Sequence, residues 1–168
     1  KVIVRVGVGF DSVDLIAAKE KGVIVCNVPD YGTNDVADHS IALMMSLARG
    51  IEKYNHETKY NKNWEWNAAG ELSRLTDSVI GIIGLGRIGT ATALRAKAFG
   101  MRVYFYDPYI SQGIDKSLLL KRCSSLDELL SLSDVVSIHT PLTNETLSMV
   151  NKSFFDKMKS SAILVNTA

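Results

Sequence analysis

"GIIGLGRIGTATALRAKAFG", Gly81 to Gly100, is the stretch on which the reading of the chain turns. The apolar run "SVIGII" leads into it as a strand. Gly84, Gly86 and Gly89 then follow the spacing GxGxxG, and Ala91, Ala93, Ala96 and Ala98 carry a helix to a stop at Gly100. Three glycines in six positions make an ordinary tight turn as readily as a ligand loop, so the flanks decide. Between a strand and a helix each glycine has a physical task. Gly84 makes the turn, Gly86 leaves bare backbone where a pyrophosphate can approach, and Gly89 lets the helix pack closely on the sheet. Unpaired N–H groups at the helix start, reinforced by the helix dipole, favour an anionic phosphate.

Asp107 stands eighteen positions beyond Gly89, at the end of the strand-like "RVYFYD". A carboxylate there can accept hydrogen bonds from both hydroxyls of an adenosine ribose and repels the 2′-phosphate of NADP, so NAD is the expected cofactor. The alternative is a solvent-facing Asp opening the turn "DPY". FAD proteins use a similar loop, usually with Glu at the strand end.

From Ser78 onward the periodicity predicts strand Val79 to Ile83, helix Arg87 to Phe99, strand Val103 to Tyr106 and helix Leu126 to Leu132. Strand Val135 to Ile138, helix Lys152 to Met158 and strand Ile163 to Val165 follow. Such alternation implies an α/β fold, a Rossmann-type doubly wound parallel sheet with helices on both faces. Ligands in such sheets lie over the carboxyl ends of the strands. This places Pro108, His139, Thr140, Pro141, Asn166, Thr167 and Ala168 beside the cofactor. For His139 the sharper reading is an acid/base role near the nicotinamide. The plainer and preferred one is a histidine that closes its strand and hydrogen-bonds a neighbouring loop. His39 is read as a packing residue and His56 as a surface residue.

The first half is less regular. Val2 to Val6 reads as a buried strand, Val13 to Lys21 as a helix closed by Gly22, and "VIVCNVP" as a second strand. Thr33, Asn34 or Asp35 can cap a helix from Val36 to about Arg49, a spine or an interface. Tyr54 to Leu75 keeps neither helical nor strand period and reads as an arm. Its Trp64 and Trp66 suit either a subunit contact or core packing on the parent domain.

Nineteen basic and eighteen acidic residues leave a formal charge of +1, and the basic residues are scattered, which argues against a nucleic-acid footprint. Cys26 and Cys123 fit no zinc spacing and read as buried reduced thiols, with no metal site expected. The apolar run Ile41 to Ala48 is far short of a membrane span, so the cytoplasm is the default location. The chain opens directly on a strand and stops as another ends, and it is read as an excerpt of a longer polypeptide.

Six segments, "GVGFDSVDL", "NVPDYGTNDVADHSIALMMSLAR", "GIIGLGRIG", "YDPY", "SDVVSIHTPLT" and "AILVNTA", resemble in order and spacing the D-isomer-specific 2-hydroxyacid dehydrogenases. The resemblance covers essentially the whole chain and is nearest to the branch holding phosphoglycerate dehydrogenase-like proteins and the C-terminal-binding-protein corepressors. It implies that residues 1–26 are the end of a flavodoxin-like substrate domain and residues 27–168 an incomplete NAD-binding domain. It further implies that Gly7, Val8 and Gly9 meet the substrate carboxylate, with Val8 also at the nicotinamide, and that the backbone of Arg87 and Ile88 holds the pyrophosphate. A small 2-hydroxy or 2-oxo acid is the implied substrate, and a homodimer through the helix after Asp35 and the tryptophan arm the implied assembly. The family's catalytic Arg, Glu and His fall after "VNTA", so no catalytic residue is assigned here. An NAD-sensing dimeric scaffold is the alternative function.

Overall fold

A computed structural model describes residues 1–168. Val2–Arg5 (β1), Leu15–Glu20 (α1) and Ile24–Asn27 (β2) form a small βαβ unit in which the two strands pair in parallel. Asp14 caps α1, its Oδ1 accepting from the N–H groups of Ile16 and Ala17. The expected burial of the first strand is corrected: β1 is exposed at every position, and Ile16 and Ile24 are exposed as well. A two-stranded sheet with one short helix lacks the second layer that buries a strand on both faces. Cys26, on β2, is exposed for the same reason and not buried as expected, whereas Cys123 is buried.

Thr33–Ala48 (α2) starts earlier than its apolar period suggested, with Gly32 at the cap position. No side chain caps it, because the Thr33 hydroxyl instead donates to Asp30 Oδ1 at 2.7 Å. Ala37, Ser40, Ile41 and Met44 are its buried stripe. His39 is exposed on the opposite face, which corrects its reading as a packing residue. Ile51–His56 (α3) continues into a single π-helical turn, Glu57–Asn61, and irregular chain follows to Arg74. Trp64 and Trp66 are 87% and 85% exposed, so they do not pack into the core of this chain.

After a 3-10 turn, Leu75–Asp77, the second half follows the predicted rhythm: Val79–Ile83 (β3), Arg87–Ala98 (α4) and Arg102–Tyr106 (β4). Ile114–Leu118 (α5) and the two-residue Lys121–Arg122 (β5) were not expected. They are too short and too polar to show a period. Leu126–Leu132 (α6), Val135–Ile138 (β6), Lys152–Lys157 (α7) and Ile163–Asn166 (β7) complete the chain. All five strands are parallel in the order β5-β4-β3-β6-β7. The order reverses at β3, which is buried at all five positions as a central parallel strand should be.

Strand alternation sends Ile80 and Ile82 to one face and Ile83 to the other. On the first face they meet Ile41 and Met44 of α2, Ala93 and Ala96 of α4, and Phe105. On the second, Leu129 and Leu130 of α6 and Phe154 of α7 cover Ile83, Val136, Ile138 and Cys123. The sheet is therefore doubly wound, and the alanines of α4 let that helix lie close against it.

Candidate functional site

The carboxyl ends of β3, β4, β6 and β7 form one edge, and the loop after β3 is its centre. Gly84 has φ +87°, and its N–H donates to the Tyr106 carbonyl at 3.0 Å. A Cβ at Gly84 would lie 2.8 Å from the His139 carbonyl oxygen and 2.9 Å from Thr140 Cγ2, so both conformation and space demand glycine. A Cβ at Gly89 would strike the Gly84 carbonyl oxygen, which is the close helix-on-strand packing expected of the third glycine. Gly86 is different: it is exposed and open space surrounds its missing side chain. α4 then begins at Arg87 with no side-chain cap and no acidic residue in its first turn. Bare backbone, uncapped N–H groups and the positive end of a three-turn helix converge on one place, which fits a phosphate-bearing group. Arg87 is exposed beside it and Ile88 half-buried.

Asp107 ends β4 half-buried. Its Oδ2 accepts from the Leu85 N–H of the glycine loop at 2.8 Å, and its Oδ1 from the Tyr109 N–H at 2.9 Å. The sequence did not show this internal role. Each carboxylate oxygen retains a second lone pair for a sugar hydroxyl. Arg122 steadies the same turn from β5. Its Nη1 donates to the Asp107 carbonyl at 3.2 Å and its Nη2 to the Ser111 carbonyl at 2.9 Å, with the guanidinium 4.8 Å from the Phe105 ring centre. Pro108 is exposed. Tyr109 points its phenol at Glu145, in the loop after β6, and donates to Oε2 of that carboxylate. That bond, then slight burial and the Glu145 charge, hold the phenol above its ordinary pKa.

The His139 N–H donates to the Ile83 carbonyl at 2.8 Å, closing β6 onto β3. Its ring Nε2 lies 2.8 Å from Ser137 Oγ, so its partner belongs to its own strand and not to a neighbouring loop. Burial pushes the imidazole down to about 4. The ring is therefore neutral at pH 7, and the backbone N–H of His139 closes the strand. Thr140 places its methyl at Gly84, and Pro141 is exposed. At the end of β7 the Thr167 hydroxyl lies 2.8 Å from that of Ser40 on α2, and exposed Asn166 accepts from the Ala168 N–H at 3.0 Å.

Sequence reasoning missed the contribution of α2 to this edge. Asp35, Val36, His39 and Leu43 line an open cavity of about 430 Å³ together with Asn166 and Thr167. Only a polar first turn following a strand end could have signalled it. Gly7, Val8 and Gly9 are not drawn in by hydrogen bonds. The Gly7 carbonyl accepts from the Val28 N–H at 3.1 Å and the Val8 carbonyl from Asn27 Nδ2 at 2.8 Å, both inside the βαβ unit. A second cavity, of about 290 Å³, lies at the opposite edge among Leu72, Ser78, Asp134 and Ile163, away from every residue above.

The sequence model of the D-isomer specific 2-hydroxyacid dehydrogenase NAD binding domain matches residues 41–168. C-terminal-binding protein 1 of Caenorhabditis elegans is 39% identical over 175 residues, covering 100% of this chain and 24% of that protein. D-3-phosphoglycerate dehydrogenase of Archaeoglobus fulgidus is 40% identical over 168 residues, covering 100% of this chain and 31% of that protein. Among solved structures, D-lactate dehydrogenase from Aquifex aeolicus in complex with NAD and lactic acid superposes with a TM-score of 0.93 at 36% identity, over 100% of this chain and 50% of that one. The chain thus spans 24% to 31% of the length of these two curated relatives.

Proposed function

Since the chain belongs to the D-isomer specific 2-hydroxyacid dehydrogenase family and carries its NAD-binding domain, we propose that the full-length protein passes hydride between NAD(H) and C2 of a small D-2-hydroxy or 2-oxo acid. The observation that carries this is the convergence of Gly86, the uncapped start of α4 and Asp107 on one edge of the sheet. In this proposal the backbone of Gly84, Gly86, Arg87, Ile88 and Gly89 cradles the pyrophosphate, and Asp107 with Pro108 receives the adenosine ribose. His139, Thr140 and Pro141, then Asn166, Thr167 and Ala168, flank the path toward the nicotinamide. Val8 meets the nicotinamide, and the amides of Gly7 to Gly9 face the substrate carboxylate. NAD, when bound, supplies the hydride acceptor. The residues of this chain orient it and exclude water. No residue here is assigned the acid–base step.

The separate sheet of β1 and β2 supports a division in which residues 1–26 belong to the substrate domain and residues 27–168 to the nucleotide domain. A homodimer through α2 and the tryptophan arm would cover Trp64 and Trp66. A cytoplasmic location agrees with two free thiols.

The test is NADH fluorescence titration of the full-length protein, followed by steady-state turnover across hydroxypyruvate, glyoxylate and a phosphorylated analogue. Saturable NADH binding with turnover of at least one acid is expected, and absence of NADH binding would refute the proposal. A second reading, an NAD-sensing scaffold, draws on the likeness to C-terminal-binding protein 1 and on the exposed aromatic arm. Binding without turnover on any acid selects it.

A further inference from the structure

Three loops meet at the carboxyl edge, and a chain of hydrogen bonds runs through all of them. Asp107 joins the glycine loop at Leu85 to the turn after β4 at Tyr109, and Tyr109 reaches across to Glu145 in the loop after β6. β4 and β6 flank β3 on either side, so the Tyr109–Glu145 bond spans the central strand. Both anchors are built. The Tyr109 backbone is held by Asp107 and the turn behind it by Arg122. Glu145 sits in a turn closed by Thr146, whose Oγ1 donates to the Pro141 carbonyl at 2.6 Å and accepts from the Thr143 N–H at 2.8 Å.

Tyr109 is 76% exposed, and its phenol makes one hydrogen bond. A single exposed bond of this kind contributes little to folding and costs side-chain entropy to hold. Its value is in what it spans. The loops it joins present Pro108 and Tyr109 from one side and Pro141 and Leu142 from the other, all exposed. Exposed apolar side chains on the two loops joined by this bond, the first of them directly following the proposed ribose-binding carboxylate, suit a purine ring.

We propose that Tyr109 and Glu145 form a strap that retains the adenosine half of the dinucleotide, with Tyr109 and Glu145 as positioning residues for the cofactor. The proposal rests on the assignment of the dinucleotide site above. The strap acts on release: while it is closed, the purine cannot leave without breaking a charge-assisted bond between two fixed turns.

The experiment uses the full-length protein and stopped-flow fluorescence with two probes, NADH and reduced nicotinamide mononucleotide, which lacks the adenosine. Tyr109→Phe, Glu145→Gln and the double variant are compared, with circular dichroism melts to show that each folds. Each single variant is expected to release NADH about 3- to 10-fold faster, the scale set by one ordinary, solvent-exposed hydrogen bond. The double variant should be no worse than the singles, because both remove the same bond, and the mononucleotide should be unaffected. Unchanged NADH release in both singles, or equal weakening of the mononucleotide, overturns the strap while leaving the dinucleotide site standing. Failure of the unaltered protein to bind NADH overturns both.

Discussion

Gly84 and Asp107 make the sharpest individual tests. Gly84→Ala puts a side chain at φ +87° and within 2.8 Å of the His139 carbonyl. The variant should lose about 1–3 kcal/mol of stability in chemical denaturation, because the His139 backbone, held in the sheet, cannot yield. Asp107→Ala removes the proposed ribose acceptor and orphans the Leu85 and Tyr109 N–H groups together. NADH affinity should fall roughly 10- to 100-fold, the equivalent of losing a charged hydrogen bond, and the preference for NADH over NADPH should vanish in parallel titrations. An unchanged ratio would remove Asp107 as the selector. His139 offers a pH test. Burial holds the folded imidazole at about 4, below the ordinary value of about 6.5. Between these values the unfolded chain binds the extra proton, so stability is lost as pH falls through that window and regained as it rises. His139→Gln cannot titrate, and its denaturation midpoint should vary less between pH 6.5 and pH 4.5 than that of the unaltered protein.

The sheet depends on how its strands are entered as well as on how they are buried. Asp134, just before β6, accepts from the Val79 N–H at 2.8 Å and from Lys159 Nζ at 2.8 Å, tying the starts of β3 and β6 to the segment leading into β7. Burial opposes ionisation of this carboxyl, but the Lys159 contact, the Val79 N–H and the Arg102 charge outweigh it and hold its pKa below the ordinary value. A carboxylate depressed in the folded state adds stability above its unfolded pKa of about 3.9 and loses it as pH falls further. Asp134→Asn should melt lower at pH 7, and the gap should close below about pH 4. The central strands were legible because their burial leaves continuous apolar runs such as Val79–Ile83. α5 and β5 were not, since Lys121–Arg122 is a two-residue strand of charged side chains and shows no apolar pattern. The start of α2 was placed late because Thr33 and Asp35 look like caps, whereas the Thr33 hydroxyl is taken by Asp30 and Gly32 occupies the cap position.

Across the protein, exposed apolar surface concentrates in the β1–β2 sheet and the tryptophan arm. The proposed dimer predicts that Trp64→Ser with Trp66→Ser shifts the full-length protein toward monomer in sedimentation velocity, while its circular dichroism spectrum stays unchanged. Unaltered sedimentation would remove the arm from the interface. The doubly wound sheet, the place of the glycine loop and a carboxylate, Asp107, just past the end of β4 were determined by sequence alone. Each is written in local terms: strand burial as an apolar run, a helix as a period, and a phosphate loop as glycines where side chains cannot fit. Four features waited on the tertiary structure: Asp107 as a clamp on Leu85, the neutral His139 paired with Ser137, the α2 residues beside Thr167, and the Tyr109–Glu145 bridge. Three of these join residues through strand order and the approach of separate loops, and contacts made by packing leave no spacing along the chain from which to read them; Ser137 and His139 are neighbours at the end of one strand, but the burial that holds the ring neutral comes from the folded sheet.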